Sequence, residues 1–541
     1  MADILELIKQ PDKNLFIGLA GPGTGKTHTF RRIADSHDFQ NKKILILSFI
    51  KKLIADLSAN FESYKNVDVM TLHAFAGRQF TSACLEKDLD HIISEDNFFL
   101  AGNTVDYETL FHNNKLTNRE LKFYENRKNF YRHQDELYSF NSIVHAVSLL
   151  FKKDESKIPE YDLILIDEFQ DFNQLEWRLI ELLNKKTKVI LVGDDNQALY
   201  HSFRKSKPEL IRALFDREDT QEFTLDYCYR CPRVIVTAVN SLIVNAKHKG
   251  YLKDNRIKEF KYPEKRTDDK NEISEKYNKI DFLAPIPGNK LIYHIKKQIL
   301  IDARDNKTGR ILIIAPFYLR QNIYDGLIKE GFNVVEFALF SGEEKNKFKH
   351  RDLVETFNIL ILRKTDNLAL RKILNLYLKK EELKGVLLRS SKENKKLWSC
   401  LERDIRLRIE NDINIFKKAR AGKLQLNYSE LERFNELFNL KNIFSRMLKG
   451  FRSVKRGAIE VELVTVMKSK GLSADFVYYV GIDDRNLFDR EKEGITDQQL
   501  CEFLVGITRA EKKLTLISLN GKNPQILDFI DKDCINKTTF E

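Results

Sequence analysis

The stretch LFIGLAGPGTGKTHT, residues 15–29, decides how the rest of the chain is read. An apolar run from Leu15 to Ala20 breaks into Gly21-Pro22-Gly23-Thr24-Gly25-Lys26-Thr27. The run predicts a buried strand, the glycine-rich piece a tight turn, and the residues after Lys26 a helix. That is the arrangement of a phosphate-binding P-loop. Gly21, Gly23, Thr24 and Gly25 would bring backbone N–H groups onto phosphate oxygens, helped by the partial positive charge of a helix N-terminus. Lys26 is expected to reach the β- and γ-phosphates of a nucleotide, and the Thr27 hydroxyl to hold Mg²⁺. Ala20 stands at the first position, where many P-loops have glycine.

A chain of 541 residues is too long for one core, and two to four domains are expected. With 42% hydrophobic residues it can bury ordinary cores. The formal net charge of +12 suits a polyanionic partner, although a lysine-rich solvated surface would give the same total. The six cysteines are scattered, which suggests a reducing compartment. Cys228 and Cys231 form a C-x-x-C without the second pair a zinc site needs, so two unrelated thiols are expected there. The start, MADILELIKQ, lacks the basic region and apolar core of a signal peptide, and no uncharged apolar run of about 18 residues follows. The expectation is a soluble cytoplasmic protein with no membrane partner.

Apolar runs alternate with helical patterns. Residues 42–49 (KKILILSF) predict a second buried strand, Ile50 onward a helix, and 67–76 (VDVMTLHAFA) a third apolar piece, which together point to a parallel α/β sheet. Residues 84–150 are charged and aromatic with helical spacing, and read as a mostly helical insertion without a clear strand. The sheet resumes at 161–171 (YDLILIDEFQD), whose strand delivers Asp167 and Glu168 to its C-terminal end, where open α/β sheets bind ligands. Phosphoryl transfer to water needs an acidic group near Mg²⁺ and another to orient or deprotonate the water. Asp167 and Glu168 supply both. A further strand, 188–194, leads to Gln197, placed to sense a γ-phosphate, and then to Tyr200, Phe203 and Arg204. Aromatics beside a cation can stack the bases of a single strand, or can be ordinary core.

Read in order, eight pieces resemble the superfamily 1 helicases of the UvrD/Rep/PcrA type: residues 20–27, 48–53, 71–76, 166–171, 192–200, 225–232, 465–477 and 505–514. The resemblance implies two RecA-like P-loop motor domains with mostly helical insertions, and ATP with Mg²⁺ between them. It implies that Tyr229 stacks on adenine and that Arg230 and Arg509 act as arginine fingers. It places Gly471, within Lys470-Gly471-Leu472, near the nucleotide. It also implies single-stranded DNA contacts at Phe49, Thr71, His73, Tyr200, Phe203 and Thr465. The chain departs from the family pattern at His28, where an arginine is usual beside adenine, at Met467 for a histidine, and at Ser473 for a ribose-binding glutamate.

The second half is expected to carry a helix over 233–247, a charged irregular surface excursion over 248–285, and α/β alternation from 289 to 337 that closes with strands in 459–520. The implied division is a first motor domain at 1–83 and 151–222, its insertion at 84–150, a second motor domain at 223–375 and 457–541, and a basic helical insertion at 376–456. That last stretch holds 21 Lys and Arg against 10 Asp and Glu, which suits duplex DNA, a solvated helical face, or an acidic partner. The chain stops about thirty residues past Arg509, too few for an appended nuclease domain. Two functions remain open. One is an ATP-dependent translocase or helicase on single-stranded or partly duplex DNA, with 3′→5′ polarity implied by the resemblance. The other is a DNA- or nucleotide-sensing ATPase subunit working beside a separate nuclease, in repair or anti-phage defence.

Overall fold

The computed structural model describes residues 4–10, 12–48, 51–133, 135–199, 208–256, 258–265, 269–305, 309–336, 350–420, 427–438, 459–484, 494–519 and 523–539. In chain order the strands are β1 (Leu15–Ala20), β2 (Ile44–Ser48), β3 (Val67–Thr71), β4 (Ala83–Leu85), β5 (Glu136–Tyr138), β6 (Leu163–Ile166), β7 (Lys188–Gly193), β8 (Thr220–Leu225), β9 (Ile280–Leu283), β10 (Ile311–Ile314), β11 (Asn333–Glu336), β12 (Glu460–Val464), β13 (Ala474–Val480), β14 (Ala510–Ile517) and β15 (Ile535–Thr538). They form two parallel sheets, ordered β3-β2-β6-β7-β1-β8 and β11-β12-β10-β13-β14-β9-β15, and a small pair β4-β5. The fold is therefore mixed α/β with parallel sheets, as the alternation of runs implied.

The described residues gather into two compact units, 1–72 with 151–339 and 456–541, and 73–150 with 340–455. The first holds both large sheets. Central strands are buried along their whole length, β1, β2 and β6 at every residue. Parallel strands covered on both faces have no polar side, which is why they stand out as unbroken apolar runs. Edge strands are half-solvated, and β8 (TQEFTL) and β15 (INKT) are polar enough to have gone unnoticed. The second unit is built mainly of helices, among them Leu89–Ala101, Asn118–Tyr131, Lys380–Glu393 and Arg403–Arg420.

Two expectations are corrected. Residues 84–150 do contain a strand: β5 pairs in parallel with β4 through Ala83, Cys84 and Leu85. Three residues are too few to show a periodicity. Residues 248–285 are no surface excursion, because they include the helix Lys270–Lys276 and β9, which lies between β14 and β15 in the second sheet. Asp281 within it and the charged flanks masked the short strand Ile280–Leu283.

Candidate functional site

Every strand of the first sheet runs the same way, so the C-terminal ends of β1, β6 and β7 lie side by side. That edge carries the P-loop, Asp167-Glu168 and Asp194 to Gln197. After β1 the chain passes Gly23 at φ 69° and Gly25 at φ 83° before the helix Lys26–Asp35. L side chains rarely adopt these angles. A Cβ on Gly23 would also lie 2.4 Å from the Arg230 Cβ, so glycine is required there on both counts. Thr24 donates its hydroxyl hydrogen to the Gly21 carbonyl at 2.9 Å. The segment 226–231 lies along the loop: the Tyr229 N–H donates to the Gly23 carbonyl at 2.8 Å and the Cys228 S–H to the Pro22 carbonyl at 3.2 Å. These bonds take up the carbonyls of Gly21, Pro22 and Gly23. The C-x-x-C is thus part of the wall of this site, with Cys231 donating to the Thr508 carbonyl at 3.5 Å.

Lys26 is bound to Glu168 and lies 3.8 Å from Asp167. Glu168 sits at φ 53°, an unusual backbone for a residue with a side chain, and its N–H donates to Asp167 Oδ1 at 2.9 Å. Gln170 Nε2 donates to Glu168 Oε2 at 2.6 Å, while Gln170 Oε1 accepts from the Asp194 N–H at 3.0 Å. Gln197, buried, donates from Nε2 to Asp194 Oδ2 at 2.7 Å. Lys470, in the connection between β12 and β13 of the second sheet, donates to both Asp171 oxygens and to the Gln197 carbonyl, each at 2.7 Å.

Burial opposes ionisation of Glu168, but Lys26 and Lys470, with the Lys26 and Gln170 hydrogen bonds, outweigh it and hold this carboxyl down to about 2. Burial raises Asp167 to about 6, with Lys26 opposing and Glu168 adding to the rise. Burial would lower Lys26, yet Glu168 and Asp167 raise it above the ordinary lysine value. At neutral pH Glu168 is therefore ionised. The site also suits a divalent cation. Asp167 and Thr27 would supply hard oxygen ligands of the kind Mg²⁺ takes, and both carboxylates already face a cation in Lys26.

The other candidates fall as follows. Tyr229 is 51% exposed, with its ring beside Tyr227 at 6.5 Å, and borders an open cavity of about 740 Å³ lined also by Arg233, Phe260 and Tyr262. His28 is exposed on the first helical turn. Arg230 stands close enough to Lys26 for its charge to weaken the lysine's proton affinity. Arg509 is buried and donates to the carbonyls of Val505 at 2.8 Å and Leu472 at 3.1 Å. Gly471 turns the chain at φ 82° directly after Lys470, and Ser473 donates to Glu511. Thr71 ends β3 on the ligand edge of the first sheet. His73 is buried with its ring edge-on to Phe140 at 4.8 Å. Thr465 follows β12 and precedes the short helix Val466–Ser469. Phe49, Tyr200 and Phe203 lie outside the described residues. Sequence reasoning missed Lys258, whose ammonium is bound to Asp194 and lies 3.2 Å from Asp195. No spacing marks it, because it is one lysine in a charged stretch.

Comparison with known proteins is consistent with this chemistry. Residues 6–203 match the family model of an AAA domain, and residues 406–521 that of a UvrD-like helicase C-terminal domain. The chain is 27% identical over 474 residues to the ATP-dependent DNA helicase Rep of Buchnera aphidicola, covering 74% of this chain and 70% of that protein. It is 24% identical over 608 residues to a probable DNA helicase II homolog of Mycoplasma pneumoniae, covering 95% and 83%. It is also 27% identical over 344 residues to the RecBCD enzyme subunit RecB of Buchnera aphidicola, covering 56% of this chain and 28% of that one. No helix among the described residues is long and apolar enough to cross a membrane. The two family models and these relatives, together with the P-loop and the Asp167-Glu168 pair on one sheet edge, support a UvrD/Rep-type superfamily 1 helicase.

Proposed function

We propose that this chain is an ATP-dependent DNA helicase or single-strand translocase that hydrolyses ATP at the P-loop edge of the first sheet. One observation carries the reading: Glu168, held ionised by Lys26 and Gln170, sits beside a P-loop against which Arg230 is also packed. Lys26 and the loop N–H groups bind the phosphates. Thr27 and Asp167 hold Mg²⁺, which when bound neutralises charge on the phosphoryl oxygens. Glu168 orients the attacking water and takes its proton. Gln197, Arg230 and Arg509 stabilise the charge that spreads over the γ-phosphoryl oxygens, and Tyr229 stacks on the base. Lys470 and Arg230 bring the second sheet's half into this site, so hydrolysis alters contacts between the halves and drives movement along DNA, in the 3′→5′ sense the family resemblance implies. Thr71, His73 and Thr465 are the proposed DNA contacts among the described residues.

Steady-state ATP hydrolysis with and without single-stranded DNA tests this reading. DNA is expected to stimulate turnover, and Glu168→Gln to keep nucleotide binding while losing about 10²–10⁴-fold in kcat, the scale of a general base. Wild-type rates in that variant would sink the assignment. Displacement of a strand from 3′-tailed but not 5′-tailed duplexes checks the polarity.

Similarity to a protein named as a subunit of the RecBCD enzyme favours a second reading, an ATPase that works inside a larger assembly with a separate nuclease. Weak DNA stimulation of the isolated chain, restored by a co-purifying protein, would support it. Robust unwinding by the monomer would count against it.

A further inference from the structure

We infer that Lys258 is a positioning residue for hydrolysis, a buried lysine between β8 and β9 that sets Gln170 and Gln197 by holding Asp194. This rests on the hydrolytic reading above.

Residues 255–256 and 258–262 lie over the turn that follows β7, as a strap. The strap is anchored at both ends. At one end Asn255 binds Asn196 and accepts from Arg212, and the Arg256 N–H donates to Asp195 Oδ2 at 2.8 Å. At the other, the Cys228 N–H donates to the Lys261 carbonyl at 2.9 Å and the Lys261 N–H to the Asp226 carbonyl at 2.8 Å. Phe260 packs its ring on Gly21, where any added Cβ would collide with it. Between the anchors, the Lys258 side chain is 6% exposed and points at two carboxylates, Asp194 and Asp195, each 1% exposed.

Two adjacent buried carboxylates cannot stay ionised without cations, because desolvation disfavours each charge and each disfavours the other. Arg212 meets Asp195 at 3.3 Å, and Lys258 meets both; burial pulls the Lys258 proton affinity well below that of an ordinary lysine, so the lysine depends on these carboxylates for its charge as they depend on it. Asp194 in turn fixes two amides. Its Oδ2 takes the Gln197 amide hydrogen, and its N–H takes Gln170 Oε1. A backbone N–H can only donate, so Gln170 must turn its oxygen to Asp194 and its NH₂ to Glu168. One Glu168 oxygen is thereby engaged by Gln170 and the other by Lys26. Lys258 touches none of the reacting groups, yet the orientation of Gln197 runs through the carboxylate it holds, and that of Gln170 and Glu168 through the backbone N–H of the same residue.

The test measures kcat, KM for ATP and thermal midpoint for the full chain as wild type, K258M, K258R and K258M/D194N, with E168Q as reference. K258M is expected to lose about tenfold or more in kcat with KM within about threefold, the pattern of an interaction needed in the transition state. K258R, which keeps the cation, should recover most of the rate. K258M/D194N removes both charges, so its thermal midpoint should return toward wild type while kcat stays low. Wild-type kcat in K258M, or a rate restored along with the midpoint in the double variant, overturns the inference. Equal turnover in wild type and E168Q would instead overturn the hydrolytic reading, and this one with it.

Discussion

Lys470 and Asp171 form a buried ion pair that joins the two large sheets: the ammonium lies 2.7 Å from each carboxylate oxygen, and the lysine side chain is 1% exposed. The same ammonium reaches the Gln197 carbonyl and stands 3.9 Å from Glu168. It therefore ties the second sheet's half to two groups proposed to act on the γ-phosphate. A buried pair of this kind adds little net stability over apolar neighbours, but breaking it leaves an uncompensated charge.

Lys470→Met is accordingly expected to destabilise the protein by about 3–5 kcal/mol, the cost of an orphaned buried carboxylate. Lys470→Met/Asp171→Leu should recover most of the lost thermal midpoint, because no charge is then stranded. If the double variant melts as low as the single one, the pair is not what stabilises this contact.

Asp167 and Glu168 should give opposite pH signatures. Asp167 is raised to about 6 by burial, so its contribution is fully present below its unfolded value and is lost as pH rises through 6. Glu168 is depressed to about 2, so its contribution is present above its unfolded value and lost only as pH falls toward 2. Between pH 4 and 7 the Asp167 effect governs. Asp167→Asn, melted without divalent cation, should gain thermal midpoint over wild type as pH goes from about 4 to about 7, the window set by an unfolded Asp near 3.9. A difference independent of pH would contradict the raised value.

Gly23→Ala places a methyl 2.4 Å from the Arg230 Cβ at a φ of 69°, so Arg230 and the loop must move apart. Loss of turnover by about tenfold or more is expected, since small misplacements at a reacting centre carry such costs. Circular dichroism should remain native. Full activity would mean that Arg230 need not sit against the loop.

Tyr229 is half exposed, and its removal should hardly affect folding. Tyr229→Ala is expected to change stability by less than about 0.5 kcal/mol. It should raise the KM for ATP by roughly tenfold or more, the value of one lost base stack. An unchanged KM would place the base elsewhere.

Residues 15–29 alone announced a phosphate site, because a P-loop needs a strand, glycines and Gly-Lys-Thr within one short local stretch. Asp167 and Glu168 were equally plain, standing at the end of the apolar run Leu163–Ile166. Central parallel strands are legible for the same reason, since burial on both faces forces continuous apolar runs. The edge strands β8 and β15 and the three-residue β5 were not legible, because a half-solvated or very short strand carries no periodicity of its own.

What the sequence by itself determined is the chemistry that local spacing encodes: a phosphate-binding loop, an acidic pair after a strand, and the order of pieces that gives the family. The tertiary structure decided what is held in common by residues far apart in the chain. It placed Lys470 on Asp171, packed Phe260 on Gly21, and turned a charged stretch read as surface into the strap that buries Lys258 against Asp194. Such pairings depend on long-range closure of the chain and on the need of each buried charge for a partner, and neither leaves a period or a motif in the neighbouring residues.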